Sequence, residues 1–386
     1  MQKIAITLIA YNRTTSLSRL LSSLCNAHYD GDEVPLFISI DKSNTDKVEK
    51  FAEDFQWTFG EKTVVKHDTN IGLRRHILEQ GRLLKKFDAI VVLEDDVIVS
   101  PDFWNYTKQT VEKYHNCNDI AGISLYSYAV NYHERHPFIP LHDGNDVFFM
   151  NCAMSWGQIW MRNQWHAFMA WYEKNTNTPF GNHLPNSISS WSEKSWLKYH
   201  MRYCIEENKY FVFPYVSYST NYSDVGTHMT KEDSIFQVPI LQGRREDLRL
   251  PDLSDKAIRY DGFFENKTLY SSLGLQEDAC CLDLNRTNTN KTGKRYWLST
   301  RLLPYKVITS YSCACRPIEQ NVLSGNTGSG IFLYDTTIKS KSLPIKGNPA
   351  FLAQHYVQSC FFFVRDYGFQ NLIREFFQLI KKQIGL

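Results

Sequence analysis

The sequence predicts an α/β fold, with a Rossmann-like, mostly parallel sheet and helices on both faces. Residues 1–150 alternate short apolar runs with segments whose apolar residues recur at helical spacing, which is typical of parallel sheets with crossover helices. The run at 89–97 is apolar until it ends in acids, as expected of a buried strand. With 43% hydrophobic and 22% charged residues, the 386-residue chain has the composition of a globular protein.

The elements of this region follow one another in a regular order. A strand is predicted at 3–10, and a helix follows because leucines recur at 17, 20, 21 and 24. The other predictions are strands at 34–40, 63–67 and 89–97, and helices at 48–55 and 77–87. Right-handed crossovers bring the carboxyl ends of such strands to one edge, where ligands of these sheets bind.

The chain is predicted to divide near residue 245. Residues 1–245 are expected to form the α/β domain, in which the tryptophan-rich part after residue 150 contains mixed strands and helices. Residues 246–262 are charged and contain Pro251, which predicts a linker. Residues 246–386 would then form an accessory segment, in which 263–340 cannot be assigned and 351–386 is predicted to be helical.

Composition and charge exclude several classes of protein. Lys+Arg is 43 and Asp+Glu is 41, a net charge of +2, so no nucleic-acid partner is expected. The sequence contains no run of 18 or more apolar residues, so no membrane-spanning helix is predicted. We interpret the short apolar start as the first strand and expect a cytoplasmic protein. The nine cysteines are odd in number and the chain is long, so no disulfide framework is expected. Cys280-Cys281 and Cys313-Ala-Cys315 lack the spacing of zinc ligands and are expected to be buried.

The strongest chemical signal lies at the end of the predicted strand 89–97, where Glu94, Asp95 and Asp96 follow one another. Neighbouring strand residues point in opposite directions, so Asp95 and Asp96 face one ion only if the chain bends. One acid is therefore expected to bind a metal and the other to accept hydrogen bonds. Carboxylates suit Mg²⁺ or Mn²⁺, which also bind phosphates. The alternative is a solvated acidic turn.

Other polar residues are predicted at the same edge. Arg13 follows the first strand, Asp41 follows the second, and Asn70 and Gly72 follow the third and precede Arg74. Aspartate can accept hydrogen bonds from a base or a ribose, glycine permits close backbone approach, and arginine binds phosphates. Each signal alone is weak, since Asn-x-Gly is also a common turn. Together they predict an anionic ligand that contains a nucleobase.

The order Arg13, Asp41, Asn70-x-Gly72 and Glu94-Asp95-Asp96 resembles that of nucleotide-diphospho-sugar glycosyltransferases of the GT-A fold. Residues 91–103, Val-Val-Leu-Glu-Asp-Asp-Val-Ile-Val-Ser-Pro-Asp-Phe, are especially similar to the N-acetylglucosaminyltransferase I type and its bacterial relatives. The resemblance covers roughly residues 1–245. It implies that Arg13 and Asp41 hold the nucleotide, that Asp95 faces the ribose or sugar, and that Asp96 binds the metal.

The resemblance also implies a catalytic base after a tryptophan and a later loop that closes over the donor. Glu193, in Trp191-Ser-Glu, is the nearest match for the base, and its aromatic setting is expected to raise its pKa. Asp224 is the second candidate base, and His228 is a candidate ligand of the metal or a phosphate. A surface glutamate and a loop histidine bonded to the backbone are the ordinary alternatives.

The end of the chain predicts an amphipathic helix at 369–386. Its apolar residues share one face, and Arg374, Lys381 and Lys382 add positive charge. Such a helix either lies on an anionic membrane surface or docks on its own domain. The first alternative would place the protein at the inner face of the membrane and suit a lipid-linked acceptor.

Taken together, these observations predict a metal-dependent glycosyltransferase that moves a sugar from a nucleotide-diphospho-sugar to a saccharide acceptor, such as a growing surface polysaccharide. The UDP-sugar donor and the inverting stereochemistry are implied by the resemblance alone. One alternative is a sugar-1-phosphate nucleotidyltransferase, although 11–15 lacks the glycine-rich loop that this class needs. The other is a non-catalytic carbohydrate-binding protein that uses its tryptophans for stacking.

Overall fold

The structure is a computed structural model of the chain. It describes residues 2–181, 183–222, 224, 235–254, 256–288, 293–345, 360–361, 364–366 and 368–384.

Strands and helices alternate from the start of the chain. Up to residue 260 the strands are β1 (Ile4–Ala10), β2 (Leu36–Ile40), β3 (Lys62–Lys66), β4 (Ala89–Glu94), β5 (Val97–Val99), β6 (Ile120–Ser124), β7 (Val130–Asn131), β8 (His136–Pro137), β9 (Val147–Met150), β10 (Gln158–Met161), β11 (Tyr210–Pro214), β12 (Ser219–Asn221) and β13 (Arg259–Tyr260). The helices are α1 (Thr14–Cys25), α2 (Lys47–Asp54), α3 (Leu73–Gln80), α4 (Phe103–Tyr114), α5 (Arg162–Asn175), α6 (Asn186–Ser189) and α7 (Trp196–Glu206).

Nine of these strands form one mixed, mostly parallel sheet in the order β13-β9-β11-β6-β10-β4-β1-β2-β3. Strands β4, β1, β2 and β3 are parallel neighbours. Strand β10 is antiparallel to both β4 and β6, and β11 is parallel to β6. The register places Leu8 of β1 level with Ile38 of β2 and Leu93 of β4. The predicted sheet is therefore confirmed.

The central strands are largely apolar, and helices cover both faces of the sheet. Leu8 and Leu93 belong to a buried cluster that includes Leu20 of α1 and Phe103 of α4. The alternate residues of the same strands, such as Ile90, pack in a second cluster with side chains of α3, α5 and α7. Strand residues alternate between the faces, so each central strand contributes to both clusters.

Two predicted elements differ from the structure by more than two residues. The helix predicted at 77–87 begins earlier, as α3, and continues as a 3-10 helix at Gly81–Lys85. The strand predicted at 89–97 stops at Glu94, and a turn at 95–96 leads into β5. The turn forms because Val97 and Val99 are buried beneath α1 and pair with β12.

The linker predicted at 246–262 is wrong. Leu248, Leu250 and Leu253 pack against the core beside α4, and β13 joins the main sheet next to β9. Glu246, Arg249 and Asp252 are exposed, while the three leucines are partly buried against the core, which the composition alone did not reveal. The division of the chain near residue 245 stays a prediction.

A second, smaller sheet follows in the region that the sequence left unassigned. Its strands β14 (Cys280–Asp283), β15 (Tyr296–Ser299), β16 (Tyr305–Tyr311) and β17 (Ile331–Lys339) adopt the order β14-β15-β17-β16. The short helices α8 (Thr268–Leu273) and α9 (Gln320–Leu323) accompany it. Cys280 and Cys281 are buried, as predicted. Tyr260 of the main sheet donates a hydrogen bond to Glu319 Oε1 at 2.6 Å.

The last described element is α10 (Phe369–Ile384), which confirms the helix predicted there. None of the helices in the described ranges combines the length and the apolar character that a membrane crossing would require.

We expect Tyr260→Phe to weaken the attachment of the second sheet. Tyr260 and Glu319 are both buried, so losing the hydroxyl leaves a buried carboxylate without that donor, which costs about 1–3 kcal/mol. Urea unfolding followed by circular dichroism measures the loss. Tyr11→Phe, at an exposed tyrosine, is the control. Equal stability of the Tyr260 variant and the unaltered chain would contradict this role.

Candidate functional site

The site lies at the edge of the main sheet where six strands end. Strands β1, β2, β3, β4, β6 and β11 run in the same direction, as their pairings require. The chain therefore leaves β1, β2 and β4 at one edge and delivers Arg13, Asp41 and Asp95 there. The edge at which the predicted residues should meet is thus defined by the topology of the sheet.

The acidic turn Glu94–Asp96 is the centre of this edge. Asp95 is buried and Asp96 is half-buried. Since β4 ends at Glu94 and the next two residues form a turn, the alternation of a strand does not hold for Asp95 and Asp96. The bend that the sequence required for both to face one ion is therefore present.

Arg13 lies between the two aspartates. It directly precedes α1, and its Nη2 donates to Asp95 Oδ1 and, at 3.2 Å, to Asp96 Oδ2. Its Nε lies 3.4 Å from Asp95 Oδ2. In the structure the Arg13 guanidinium binds the acidic turn, and its expected contact with a nucleotide stays a prediction. A single cationic nitrogen therefore contacts both carboxylates.

The electrostatics of the turn favour a further cation. Burial raises the pKa of Asp95 to about 6, and the nearby Arg13 opposes this shift, while Asp96 and Asp224 add to it. Burial also raises the pKa of Glu94, with repulsion from Asp96 and Asp95 as further causes. The single positive charge of Arg13 thus leaves the turn with excess negative charge.

Asp224 lies near the acidic turn and is held by α1. Its Oδ2 accepts hydrogen bonds from Ser16 Oγ at 2.6 Å and from Arg19. The Arg19 guanidinium stacks 3.8 Å from the ring centroid of Tyr222, whose N–H donates to Asp96 O at 2.7 Å. The chain on the amino-terminal side of Asp224 is therefore tied directly to the turn.

Ser16 and Arg19 were not identified from the sequence. They lie three residues apart on α1 and so share one face of that helix, a spacing that could have indicated them once Arg13 was selected. The predicted ligand His228 lies outside the described residues, and its role stays a prediction.

Asp41 organises the loop that precedes α3. Its two carboxylate oxygens accept the N–H groups of Ile71, at 2.9 Å, and Gly72, at 3.0 Å. The Asn70 amide donates to Lys42 O at 3.0 Å, and Gly72 adopts a φ of 77°, which favours glycine. The structure brings Asp41, Asn70 and Gly72 together as predicted, and contact with a nucleotide stays a prediction.

Arg74 binds α5 and the segment that precedes α7. Its guanidinium donates to the Tyr172 hydroxyl, to Thr176 Oγ1 at 2.6 Å and to Glu193 O at 2.8 Å. Every nitrogen of the group thus has a partner in the structure. Arg74 thereby fixes the segment that carries Glu193, and its contact with a phosphate stays a prediction.

Glu193 lies just before α7 and is 70% exposed. Lys198 Nζ donates to its Oε1 at 2.5 Å and the Tyr199 hydroxyl to its Oε2 at 2.6 Å. These hydrogen bonds lower the pKa of Glu193, with Lys198 as the largest cause. The expected rise in its pKa is therefore wrong, because the nearby cation and hydroxyl stabilise the charged carboxylate.

Glu193 and Arg74 line an open pocket of about 530 Å³. The rings of Phe180 and Tyr199 also line it, together with polar residues of 176–178 and Ser189. The pocket is linked to the Asp41 loop because α3, which carries Arg74, begins directly after Gly72. The sequence did not indicate Lys198, Tyr199 or Phe180, since each contact depends on the packing of α5, α3 and α7.

The described residues contain no group of three or more His, Cys, Asp or Glu side chains placed to bind a metal. The candidate oxygen ligands are the carboxylates of Asp95 and Asp96, which already share a cationic nitrogen. Two hard oxygen donors suit Mg²⁺ or Mn²⁺ when water or phosphate completes the coordination.

A family model described as Glycosyltransferase like family 2 matches residues 2–206, more than half of the chain. The chain therefore belongs to this family. The predicted resemblance to nucleotide-sugar glycosyltransferases of the GT-A fold is confirmed at this level, and the N-acetylglucosaminyltransferase I type stays a prediction. No curated protein matches the sequence.

Similar solved structures include TarS 1–349 of S. aureus, 13% identical with a TM-score of 0.36 over 56% of this chain and 59% of that chain. The same protein in complex with UDP-GlcNAc is 16% identical, with a TM-score of 0.38 over 59% and 60%. The mannosyltransferase PcManGT of Pyrobaculum calidifontis, in complex with GDP-Man and Mn²⁺, is 11% identical with a TM-score of 0.34 over 55% of each chain. This chain thus spans well under two thirds of the length of these proteins.

We expect Arg13→Ala to destabilise the protein in buffer that contains a chelator. The change removes charge-assisted hydrogen bonds from two carboxylates, one of them buried, which costs about 2 kcal/mol or more. Thermal unfolding measures the loss. Arg82→Ala removes an exposed arginine that pairs with Glu79 and should change stability by at most about 0.5 kcal/mol. Similar melting of both variants would show that Arg13 does not balance the turn.

Proposed function

We propose that the protein is a metal-dependent, inverting glycosyltransferase that moves a sugar from a nucleotide-diphospho-sugar to a saccharide acceptor. The observation that carries the proposal is the acidic turn with Arg13 at the carboxyl edge of the sheet, inside the part of the chain that matches the family. Departure of a diphosphate needs positive charge, and this edge concentrates groups that bind cations and anions.

The donor is proposed to lie along the ends of β1, β2 and β4. Asp41, Asn70 and Gly72 would surround the nucleoside, where a glycine with positive φ permits close approach. Asp95 would accept hydrogen bonds from the ribose or sugar. Arg13 would turn from the aspartates to the diphosphate, since a guanidinium binds phosphate oxygens as well as carboxylates.

Asp96 is proposed to hold Mn²⁺ or Mg²⁺, with Asp95 beside it. The fit rests on the contact of both carboxylates with one cationic nitrogen and on their excess negative charge. When bound, such an ion acts as a Lewis acid that stabilises the leaving diphosphate. The positive charges of Arg13 and the ion would then together neutralise the negative charge of the turn and of the phosphates.

The acceptor is proposed to bind in the pocket beside Glu193. Phe180 and Tyr199 offer aromatic faces for a sugar ring, and residues 176–178 offer hydrogen-bonding groups. The lowered pKa of Glu193 keeps its carboxylate ionised at neutral pH, as a proton acceptor must be. Asp224 is the second candidate base, since it lies close enough to Asp95 to affect its pKa.

We expect Asp96→Asn to abolish the metal-dependent binding of UDP and to lower turnover by roughly a hundredfold or more, because the diphosphate loses its counter-charge. Calorimetry with UDP and MnCl₂, with and without chelator, measures binding, and release of UDP from UDP-sugars measures turnover. Asp252→Asn, at an exposed aspartate that pairs with Lys113, is the control and should behave like the unaltered chain.

Two results would reject parts of this proposal. UDP binding that is insensitive to both chelator and Asp96→Asn would remove the metal from the site. Binding of free saccharides without any response to UDP would favour the non-catalytic carbohydrate-binding alternative.

The two candidate bases can be separated by conservative variants. If Glu193 is the base, Glu193→Gln should lower the turnover number by roughly 10²- to 10⁴-fold and leave donor affinity nearly unchanged. Asp224→Asn should then act mainly on donor affinity. Steady-state kinetics and calorimetry on both variants provide the measurements, and the opposite pattern would assign the base to Asp224.

A further inference from the structure

Helix α10 (Phe369–Ile384) presents an apolar face that is open to solvent. Phe369, Phe376 and Phe377 are 62%, 60% and 58% exposed. A helix docked on its own domain would bury these rings, because each phenylalanine loses a large apolar area from water on packing. We therefore expect the exposed rings to be covered by an apolar surface that is not part of the described residues of this chain.

The shape of this face indicates what kind of surface covers it. At about 100° per residue, the apolar residues whose side chains the structure describes span an arc of about 140°. They are Phe369, Leu372, Ile373, Phe376, Phe377 and Ile380. The seam of a two-stranded coiled coil is narrower, since only two positions in seven are apolar. A broad arc fits a flat, extended apolar layer better than a single partner helix.

The charges on the rest of the helix indicate that the surface of this layer is negatively charged. Arg374, Lys381 and Lys382 are opposed by Glu375 alone within the helix. Arg374 and Lys381 lie seven residues apart and so border the same side of the apolar face. Basic residues at this border can extend their charges to anionic head groups while their stems stay in the apolar layer. Two copies of so basic a helix would instead repel each other.

We propose that α10 lies flat on an anionic lipid surface, with its phenylalanines at the boundary of the acyl chains and its basic residues at the head groups. The breadth of the apolar face, the exposed rings and the positive border together match an interfacial helix. This inference rests on α10 alone and not on the proposed transfer reaction.

The test measures binding of the full chain to vesicles, with chelator present and without any nucleotide. Vesicles of phosphatidylcholine that contain phosphatidylglycerol should bind the protein at least about tenfold more strongly than phosphatidylcholine alone. The preference should decline as salt rises, since the attraction to head groups is screened. Co-sedimentation gives the bound fraction.

Three variants separate the contributions. Phe376→Ser with Phe377→Ser should lower binding to both kinds of vesicle by about tenfold or more, since apolar contact is lost. Lys381→Gln should weaken binding to the anionic vesicles only. Glu375→Gln is the matched control, since it removes a charge of the opposite sign from the same helix and should strengthen that binding. Opposite effects of these two single changes would not follow from a general loss of structure.

Three outcomes would overturn the proposal. The full chain could fail to bind either kind of vesicle, or the double phenylalanine variant could bind as well as the unaltered chain. Light scattering could also show a dimer that the double variant dissociates, in which case a second copy covers the face. Because the assay needs neither donor nor metal, none of these results would count for or against the proposed transfer reaction.

Discussion

The burial of negative charge at the end of a central strand is the constraint on which the site depends. Strand β4 is apolar up to Glu94 and covered on both faces, so the acids at its end lie at a poorly solvated edge. Such charges persist only beside positive charge or hydrogen-bond donors. Arg13 supplies both, and the position of α1 directly after β1 is what brings it there.

The same turn also organises the chain on its far side. Strand β5 pairs with β12, and Tyr222 bonds to the backbone of Asp96. Gln237 then bonds to Tyr222 O at 3.0 Å, and Leu241 N to Ser217 O at 2.9 Å. Gln237 is thereby joined to Tyr222, and Tyr222 to the acidic turn.

Local patterns predicted the sheet and its acidic edge, because continuous apolar runs and helical spacing are visible in short stretches of sequence. They did not predict the partners of Arg74 and Glu193, since these contacts join α3, α5 and α7, which are far apart in the chain. The aromatic residues near Glu193 suggested a raised pKa, but Lys198 outweighs them. The supposed linker failed for a similar reason, because composition reports charge and not which side chains face the core.

The pairing of β13 with β9 has a practical consequence for dissecting the chain. A shortened protein that stopped at residue 245 would lose the leucines at 248, 250 and 253, which pack against the core. It would also turn β9 (Val147–Met150), whose four residues are buried, into an unpaired edge strand of the sheet. Unpaired apolar edge strands form hydrogen bonds with strands of other molecules and cause aggregation. A fragment intended for biochemistry should therefore extend beyond Tyr260, or precipitation will be mistaken for an inherent weakness of the enzyme.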